Sequence, residues 1–156
     1  MSRPRVFKYR FKTDDDVLAT AAKIMESKIL VSESYTDVES VKRYFKFRLA
    51  GLEHEVFSVM YLTAQHQFIC CDDPFRGTID GASVHPREIV KDALKHNARA
   101  VIVAHNHPSG VPEPSSADRH MTNELKQALN LIDVRVLDHF VVTPGSVISF
   151  AERGLI

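Results

Sequence analysis

The stretch HNHPSGVPEPSSAD, residues 105–118, decides which fold and which chemistry this sequence predicts. The apolar run before it, residues 99–104, predicts a buried strand that leads into His105. Side chains at positions i and i+2 of an extended chain point to the same side, so His105 and His107 can converge on one ion. Three prolines and a glycine in residues 108–114 predict a loop that turns the chain back towards them.

The third predicted ligand is Asp118, which lies in the first turn of the helix that follows this loop. Two histidines and one carboxylate suit Zn²⁺ and leave a fourth position for water, as catalytic zinc sites do. Hydrolysis also needs a proton acceptor and a donor to the developing oxyanion. Ser115, three residues before Asp118, can donate its hydroxyl to an oxyanion or serve only as the helix cap, and the two roles are compatible.

The remaining pattern alternates helices with strands. Two apolar segments around residues 63–66 predict a β-hairpin, and Pro86 at a first helical position predicts a later helix. Residues 36–39, Thr-Asp-Val-Glu, look like a capping box that starts the second helix, whereas residues 72–84 look irregular. The predicted helices cover about 14–28, 36–50, 85–97 and 115–131, and the predicted strands cover 55–62, 67–71, 99–104, 134–142 and 146–150. This order predicts an α/β sandwich with a mixed sheet and a helical attachment in the first 50 residues.

Length and charge narrow the function classes. The chain has 156 residues, which predicts one domain or one domain with a small helical extension. Its 20 basic and 20 acidic residues give a net charge of 0, far from the basic excess of a typical nucleic-acid binder. Residues 1–50 carry 11 Lys and Arg against 7 Asp and Glu, which permits only a weak basic surface there. Without a signal-peptide core or a run of about 20 apolar residues, a cytoplasmic location is expected.

The cysteines and the other histidines are weaker candidates. Cys70 and Cys71 are neighbours, so they are expected to be buried or half-buried strand residues rather than a bridge, a redox pair or a metal pair. Asp138 and His139 lie in a predicted strand, and His139 is a minor candidate for orienting a metal ligand. Five histidines without a spacing partner are expected at the surface or at helix caps: His54, His66, His85, His96 and His120.

The decisive stretch resembles the JAMM pattern, His-x-His, seven residues, Ser, two residues, Asp, and in detail the RadC family of JAMM/MPN metallopeptidases. Further segments are similar to that family in the same order: Gly77-Thr78, residues 85–88, Leu137-Asp138-His139 and residues 149–154. The resemblance covers roughly residues 40 to 156. It implies an α/β MPN/JAMM fold (cytidine-deaminase-like), a mixed β-sheet flanked by helices. The expected division is an N-terminal arm and helix at 1–36 and the RadC-type domain at 37–156.

The resemblance also implies a mechanism. The family segment Glu-x-Phe before an apolar strand matches Glu55-Val56-Phe57, which assigns Glu55 as general acid/base, with Glu53 as the fallback. One zinc ion per chain, held by His105, His107 and Asp118, is implied as the cofactor. Relatives cleave peptide or isopeptide bonds by direct attack of water, so a peptide or protein of unknown identity is the expected substrate.

The sequence offers three alternative functions and argues against the first. A zinc nucleoside deaminase needs His-x-Glu and a later Pro-Cys-x-x-Cys, which Cys70-Cys71 does not supply. The RadC family name implies a role in DNA repair or nucleic-acid binding. The first 50 residues, however, show no clear Gly-x-Gly hairpin of the kind that binds DNA phosphates. An inactive MPN interaction module usually loses a ligand or the glutamate, and this chain keeps all five residues of the pattern. The sequence leaves the oligomeric state open.

Overall fold

A five-stranded mixed sheet with helices packed on it is the architecture of the described residues. The computed structural model describes residues 13–31, 37–77 and 83–156, so the predicted arm at 1–12 lies outside them. The helices are α1 (Asp14–Val31), α2 (Val38–Leu49), α3 (Pro86–Lys95) and α4 (Ser116–Asn130). The strands are β1 (Glu55–Leu62), β2 (Phe68–Gly77), β3 (Ala100–Asn106), β4 (Arg135–Val142) and β5 (Val147–Ser149).

The strand order places β3 in the middle of the sheet. Neighbouring strands follow the order β2-β1-β3-β4-β5. β3 and β4 are parallel, and the other neighbouring pairs are antiparallel. Parallel strands need a crossover connection, and α4 supplies it here. The predicted mixed α/β fold is therefore confirmed.

Every residue of β3 is buried, and its side chains alternate between two cores. Ala100, Ile102 and Ala104 pack in the core that also contains the apolar face of α2. Val101 and Val103 pack in the second core, which contains the apolar residues of α3 and α4. By the same alternation His105 faces the side of α3 and α4, and so does Glu55, two residues before Phe57 on β1.

The predicted cap of α2 was misplaced by one residue. Asp37 is the N-cap, and its carboxylate accepts hydrogen bonds from the backbone N–H groups of Glu39 and Ser40. Thr36, the predicted start of the capping box, lies outside the described residues. Both residues can cap a helix, so residue type alone could not separate the two positions.

The prediction that residues 72–84 are irregular is wrong for 72–77, where β2 continues. Asp73 carries the charge that hid this strand, and its carboxylate accepts hydrogen bonds from Arg48 and Ser58. Pro74 is tolerated because β2 is an edge strand, where one missing N–H removes no inner ladder bond. Register shifts against β1 also break the alternation that a sequence pattern needs.

No helix in residues 13–31, 37–77 and 83–156 is long and apolar enough to cross a membrane.

Candidate metal centre

Four of the predicted site residues meet where β3 ends. One donor atom from each of Glu55, His105, His107 and Asp118 lies within 4.8 Å of the others. The two Nε2 atoms of the histidines are 2.9 Å apart. Oδ1 of Asp118 lies 3.3 Å from Nε2 of His105, and Oδ2 lies 3.4 Å from Nε2 of His107. Oε1 of Glu55 is further away, 3.9 Å from Nε2 of His105, which favours a base beside the ligands over a fourth ligand.

The tautomer of His107 follows from the loop beside it. Nδ1 of His107 lies 2.8 Å from the backbone carbonyl oxygen of Val111. A carbonyl oxygen can only accept, so Nδ1 of His107 donates a hydrogen to it. Nε2 is therefore the nitrogen left to hold a cation, either a proton or a metal ion.

A chain of hydrogen bonds sets the tautomer of His105 in the same sense. The Thr122 hydroxyl donates to the backbone carbonyl of Asp118 at 2.6 Å, so its oxygen accepts from Nδ1 of His139, also at 2.6 Å. Nε2 of His139 then has no hydrogen and accepts from Nδ1 of His105 at 2.7 Å. Nε2 of His105 is left facing the site. Burial lowers the pKa of His139 well below its usual range, which keeps this relay neutral.

Asp118 serves both the cluster and the start of α4. Its carboxylate accepts from the backbone N–H of Ser115 at 2.7 Å, while its own N–H donates to the Ser115 hydroxyl oxygen at 3.0 Å. This reciprocal pair is a capping box. The cap orients the carboxylate towards the histidines and leaves the hydrogen of the Ser115 hydroxyl able to donate elsewhere.

The charges of the cluster favour a cation. Burial acts to raise the pKa of Asp118, but hydrogen bonds with His105 and His107 outweigh it and hold that pKa well below its usual range. The Asp118 carboxylate in turn raises the pKa of His107. Two imidazole nitrogens and a carboxylate at these distances repel one another unless a positive charge lies between them. Zn²⁺ is such a charge, and nitrogen and oxygen are donors that it accepts, so these residues fit it.

Glu55 is positioned by a residue that the sequence did not single out. Oδ1 of the buried Asn106 accepts from the N–H of Val56 at 2.7 Å, and its Nδ2 donates to the carbonyl of His54 at 2.9 Å. These bonds hold the backbone on both sides of Glu55 against the end of β3. Burial raises the pKa of the Glu55 carboxyl, and the nearby His105 opposes that rise. A raised pKa suits a group that takes and returns protons near neutral pH.

A small open cleft of about 130 Å³ leads to the cluster. Its walls are partly apolar, and the lining residues are Glu55, Phe57, Val84, His105, Ala117, Asp118 and Met121. The exposed rim gives an outside group access to Glu55 and to the donor atoms.

The other predicted residues have simpler positions. Glu53 is exposed and precedes β1, outside the cluster. Asp138 and His139 are both buried, and Asp138 accepts from the Ser149 hydroxyl and the Ala151 N–H, which hold β5 in place. Thr122 was missed, although its position four residues after Asp118 on a helix places it on the same face. His96, expected as a surface or capping residue, is the C-cap of α3, and its Nε2 lies 3.3 Å from Oδ2 of Asp72.

Comparison with known proteins identifies similar chains. Residues 35–155 match the family described as RadC-like JAB domain. A UPF0758 protein of Vibrio cholerae is 55% identical over 138 residues, which cover 88% of this chain and 87% of that protein. UPF0758 proteins of Methylibium petroleiphilum and Nitrosococcus oceani are each 53% identical, over 90% and 85% of this chain. The matched parts make up only 63% and 59% of those two longer proteins.

Proposed function

The chain belongs to the RadC-like JAB domain family, and from that premise we propose that it is a zinc-dependent hydrolase of peptide or isopeptide bonds. The observation that carries the proposal is the convergence of Glu55, His105, His107 and Asp118 within 4.8 Å. This set combines three donors that fit a catalytic zinc ion with a carboxylate beside them.

The ligands in this proposal are His105, His107 and Asp118. Both histidines offer Nε2, because their Nδ1 atoms are engaged as donors to His139 and to the carbonyl of Val111. When bound, zinc supplies a Lewis acid that polarises a carbonyl and makes water more acidic. The cleft leaves an open side to the ligands, as a catalytic zinc site requires.

Glu55 is the proposed general base. Its carboxylate takes a proton from a water molecule as the water oxygen attacks the scissile carbonyl carbon. The Ser115 hydroxyl donates a hydrogen bond to the oxygen that becomes negative. Glu55 then passes its proton to the leaving nitrogen as the C–N bond breaks. The products are a carboxylic acid and an amine, with no covalent enzyme intermediate.

The proposed substrate is an extended stretch of peptide or protein. The cleft has apolar side chains beside Glu55, including Phe57 and Met121. A peptide backbone can lie across such a rim with its carbonyl towards the donor cluster. Because the chain spans only about 60% of several relatives, any partner recognised by the rest of those proteins lies outside this proposal.

Glu55→Gln tests the function with Glu53→Gln as its matched control. We expect Glu55→Gln to keep zinc by elemental analysis and to lose cleavage of a peptide and isopeptide library, read as new termini by mass spectrometry. Glu53→Gln, two residues away and exposed, is expected to leave zinc and cleavage unchanged. His105→Ala combined with His107→Ala is expected to abolish both cleavage and zinc binding at this cluster.

Three results would contradict the proposal. Unchanged turnover in Glu55→Gln would remove Glu55 as the base, and loss in Glu53→Gln alone would move that role to Glu53. Equal zinc affinity in the wild type and the double histidine variant would show that zinc does not bind at His105 and His107.

A further inference from the structure

A second cluster of metal-binding side chains lies at the edge of the sheet. Donor atoms of Cys70, Asp72 and His96 lie within 4.8 Å of one another. We infer that these three residues bind a second transition-metal ion of the zinc class. Cys70 pairs with Tyr61 on β1, whereas His105 pairs with Phe57, four residues away. At about 3.3 Å per strand residue the two clusters are roughly 13 Å apart, so they are separate sites.

Tertiary packing, not chain proximity, brings the three donors together. Cys70 and Asp72 are two apart on β2, so their side chains share a face. His96 is the C-cap of α3, and the centre of its ring lies 5.0 Å from that of Tyr61 on that face. His96 and Asp72 are far apart in sequence, so they come close only because α3 packs on the sheet.

The distances between the three donor atoms are suitable for binding one metal ion. Nε2 of His96 lies 3.3 Å from Oδ2 of Asp72, and Sγ of Cys70 lies 4.0 Å from the same oxygen. The Asp72 side chain is 49% exposed and that of His96 22%, so an ion can enter from solvent. A sulfur, a nitrogen and an oxygen donor together favour Zn²⁺, Co²⁺ or Cu²⁺ over Mg²⁺ or Ca²⁺. Binding requires the Cys70 thiol to lose its proton to solvent, after which thiolate and carboxylate balance the charge of a divalent ion.

A buried hydroxyl beneath the cluster supports a ligand there. Tyr61 is fully buried, and its hydroxyl has no hydrogen-bond partner among the described residues. Buried polar groups are rarely left unpaired, so this hydroxyl indicates a missing partner. Burial raises the pKa of Tyr61, and the nearby carboxylates of Asp92 and Asp72 add to that rise. A water molecule that accompanies the ion would give the hydroxyl its partner.

Cys71 provides a matched control. It is adjacent to Cys70 in sequence and is also a free cysteine. Its side chain packs on the opposite face, against the core that contains α2, whereas Cys70 packs with the core of α3 and α4. A metal effect that needs Cys70 and not Cys71 therefore reports this cluster in particular.

Cobalt substitution tests the inference. Metal-free protein is titrated with Co²⁺, and a thiolate ligand produces a near-ultraviolet charge-transfer band. The cluster of His105, His107 and Asp118 has no sulfur and cannot produce it. We expect the band in the wild type, in Cys71→Ser and in His105→Ala combined with His107→Ala. We expect Cys70→Ser to lose it and His96→Gln to need more cobalt to reach it.

The outcomes separate this inference from the proposed function. Absence of the band in folded wild-type protein, or its persistence in Cys70→Ser, would overturn the second site and leave only a contact between His96 and Asp72. If Cys70→Ser does not fold, zinc content of the double histidine variant decides: retained zinc supports the second site, and none overturns it. Neither the cobalt band nor the zinc content depends on cleavage activity, so the test does not rest on the proposed function.

Discussion

The two clusters of ligand-type side chains use the same construction in different places. Each takes two residues that are two apart at a strand, His105 with His107 and Cys70 with Asp72, and adds a third from the end of a helix. Asp118 lies in the first turn of α4, and His96 is the C-cap of α3. An acidic group at a helix N-terminus and a basic one at a C-terminus each agree with the helix dipole.

What separates the two clusters is how firmly their ligands are held. His105 lies on the central strand, and both histidines of that cluster donate from Nδ1 to a fixed partner. The second cluster lies on an edge strand, and within the described part of the chain no hydrogen bond to Nδ1 of His96 is found. A pair of strand residues and a helix end bring donors together. Orienting hydrogen bonds prepare them for tight binding.

The largest expected difference between the clusters comes from removing the carboxylate of each. Asp118→Ala removes a ligand and half of a capping box, so we expect zinc binding at His105 and His107 to fall by more than the roughly 100-fold that loss of an orienting group causes. We also expect a loss of about 1 kcal/mol in the free energy of unfolding, since a helix cap is broken. Asp72→Ala is expected to weaken only the second site, with stability unchanged within about 0.5 kcal/mol.

Chelator competition gives the zinc affinities, and urea unfolding of the metal-free variants gives the stabilities. If metal-free Asp118→Ala unfolded at the same urea concentration as the wild type, the carboxylate would have no part in holding α4. An equal loss of stability in Asp72→Ala would remove the contrast between the clusters.

A smaller effect is expected from breaking the relay behind His105. Thr122→Val removes the hydroxyl that accepts from His139, so the tautomer of His139 and then of His105 is no longer set. We expect zinc to bind roughly 10- to 100-fold more weakly. Thr122→Ser keeps the hydroxyl and is expected to bind zinc as the wild type does.

Nitrogen NMR of the histidine rings checks the cause directly. The wild type and Thr122→Ser should show His105 with hydrogen on Nδ1, and Thr122→Val should show a mixture. Wild-type zinc affinity in a folded Thr122→Val variant would show that the relay does not prepare the site.

The smallest effect concerns the two cysteines. Burial raises the pKa of Cys70 to about 11 and that of Cys71 to about 12. Only the thiolate is alkylated, so both should react slowly at pH 7 and about tenfold faster per pH unit as the pH rises towards these values. Cys70 should react first, and added Zn²⁺ should protect Cys70 but not Cys71. Peptide mapping after timed alkylation measures this; faster reaction of Cys71, or zinc protection of Cys71, would contradict it.

The sequence predicted the site residues that lie close together along the chain better than those brought together only by folding. His105, His107 and Asp118 lie within 14 residues with a proline-rich loop between them, so local spacing was sufficient to group them. The role of Glu55 was assigned from the family resemblance, because no local sequence pattern distinguishes a catalytic acid at the start of a strand from an ordinary one. His139 was a candidate for orienting a metal ligand, and its ring nitrogen does contact Nδ1 of His105. Thr122 was not singled out, because its contact with His139 depends on how α4 packs against β4.

The edge of the sheet was predicted less well for an electrostatic reason. Asp72 and Asp73 look like a loop, but Arg48 from α2 pairs with the Asp73 carboxylate, which also accepts a hydrogen bond from Ser58, so the charge is tolerated in a strand. With β2 judged to end at Cys71, Asp72 had no reason to face Cys70. His96 could not be added, since its position depends on how α3 packs. The charged residues Asp72 and Asp73 therefore prevented the sequence from predicting both the end of β2 and the second cluster, because their partners lie far away in the chain.

The capping box of α4 has a consequence for how the protein responds to its surroundings. One carboxylate, that of Asp118, both starts a helix and faces the donors of the metal centre. Anything that binds there binds the folded chain and not the unfolded one, so by mass action an ion at 100 times its dissociation constant adds about 2.7 kcal/mol of stability. If zinc is that ion, as proposed, the melting temperature of the chain would rise with the concentration of free zinc.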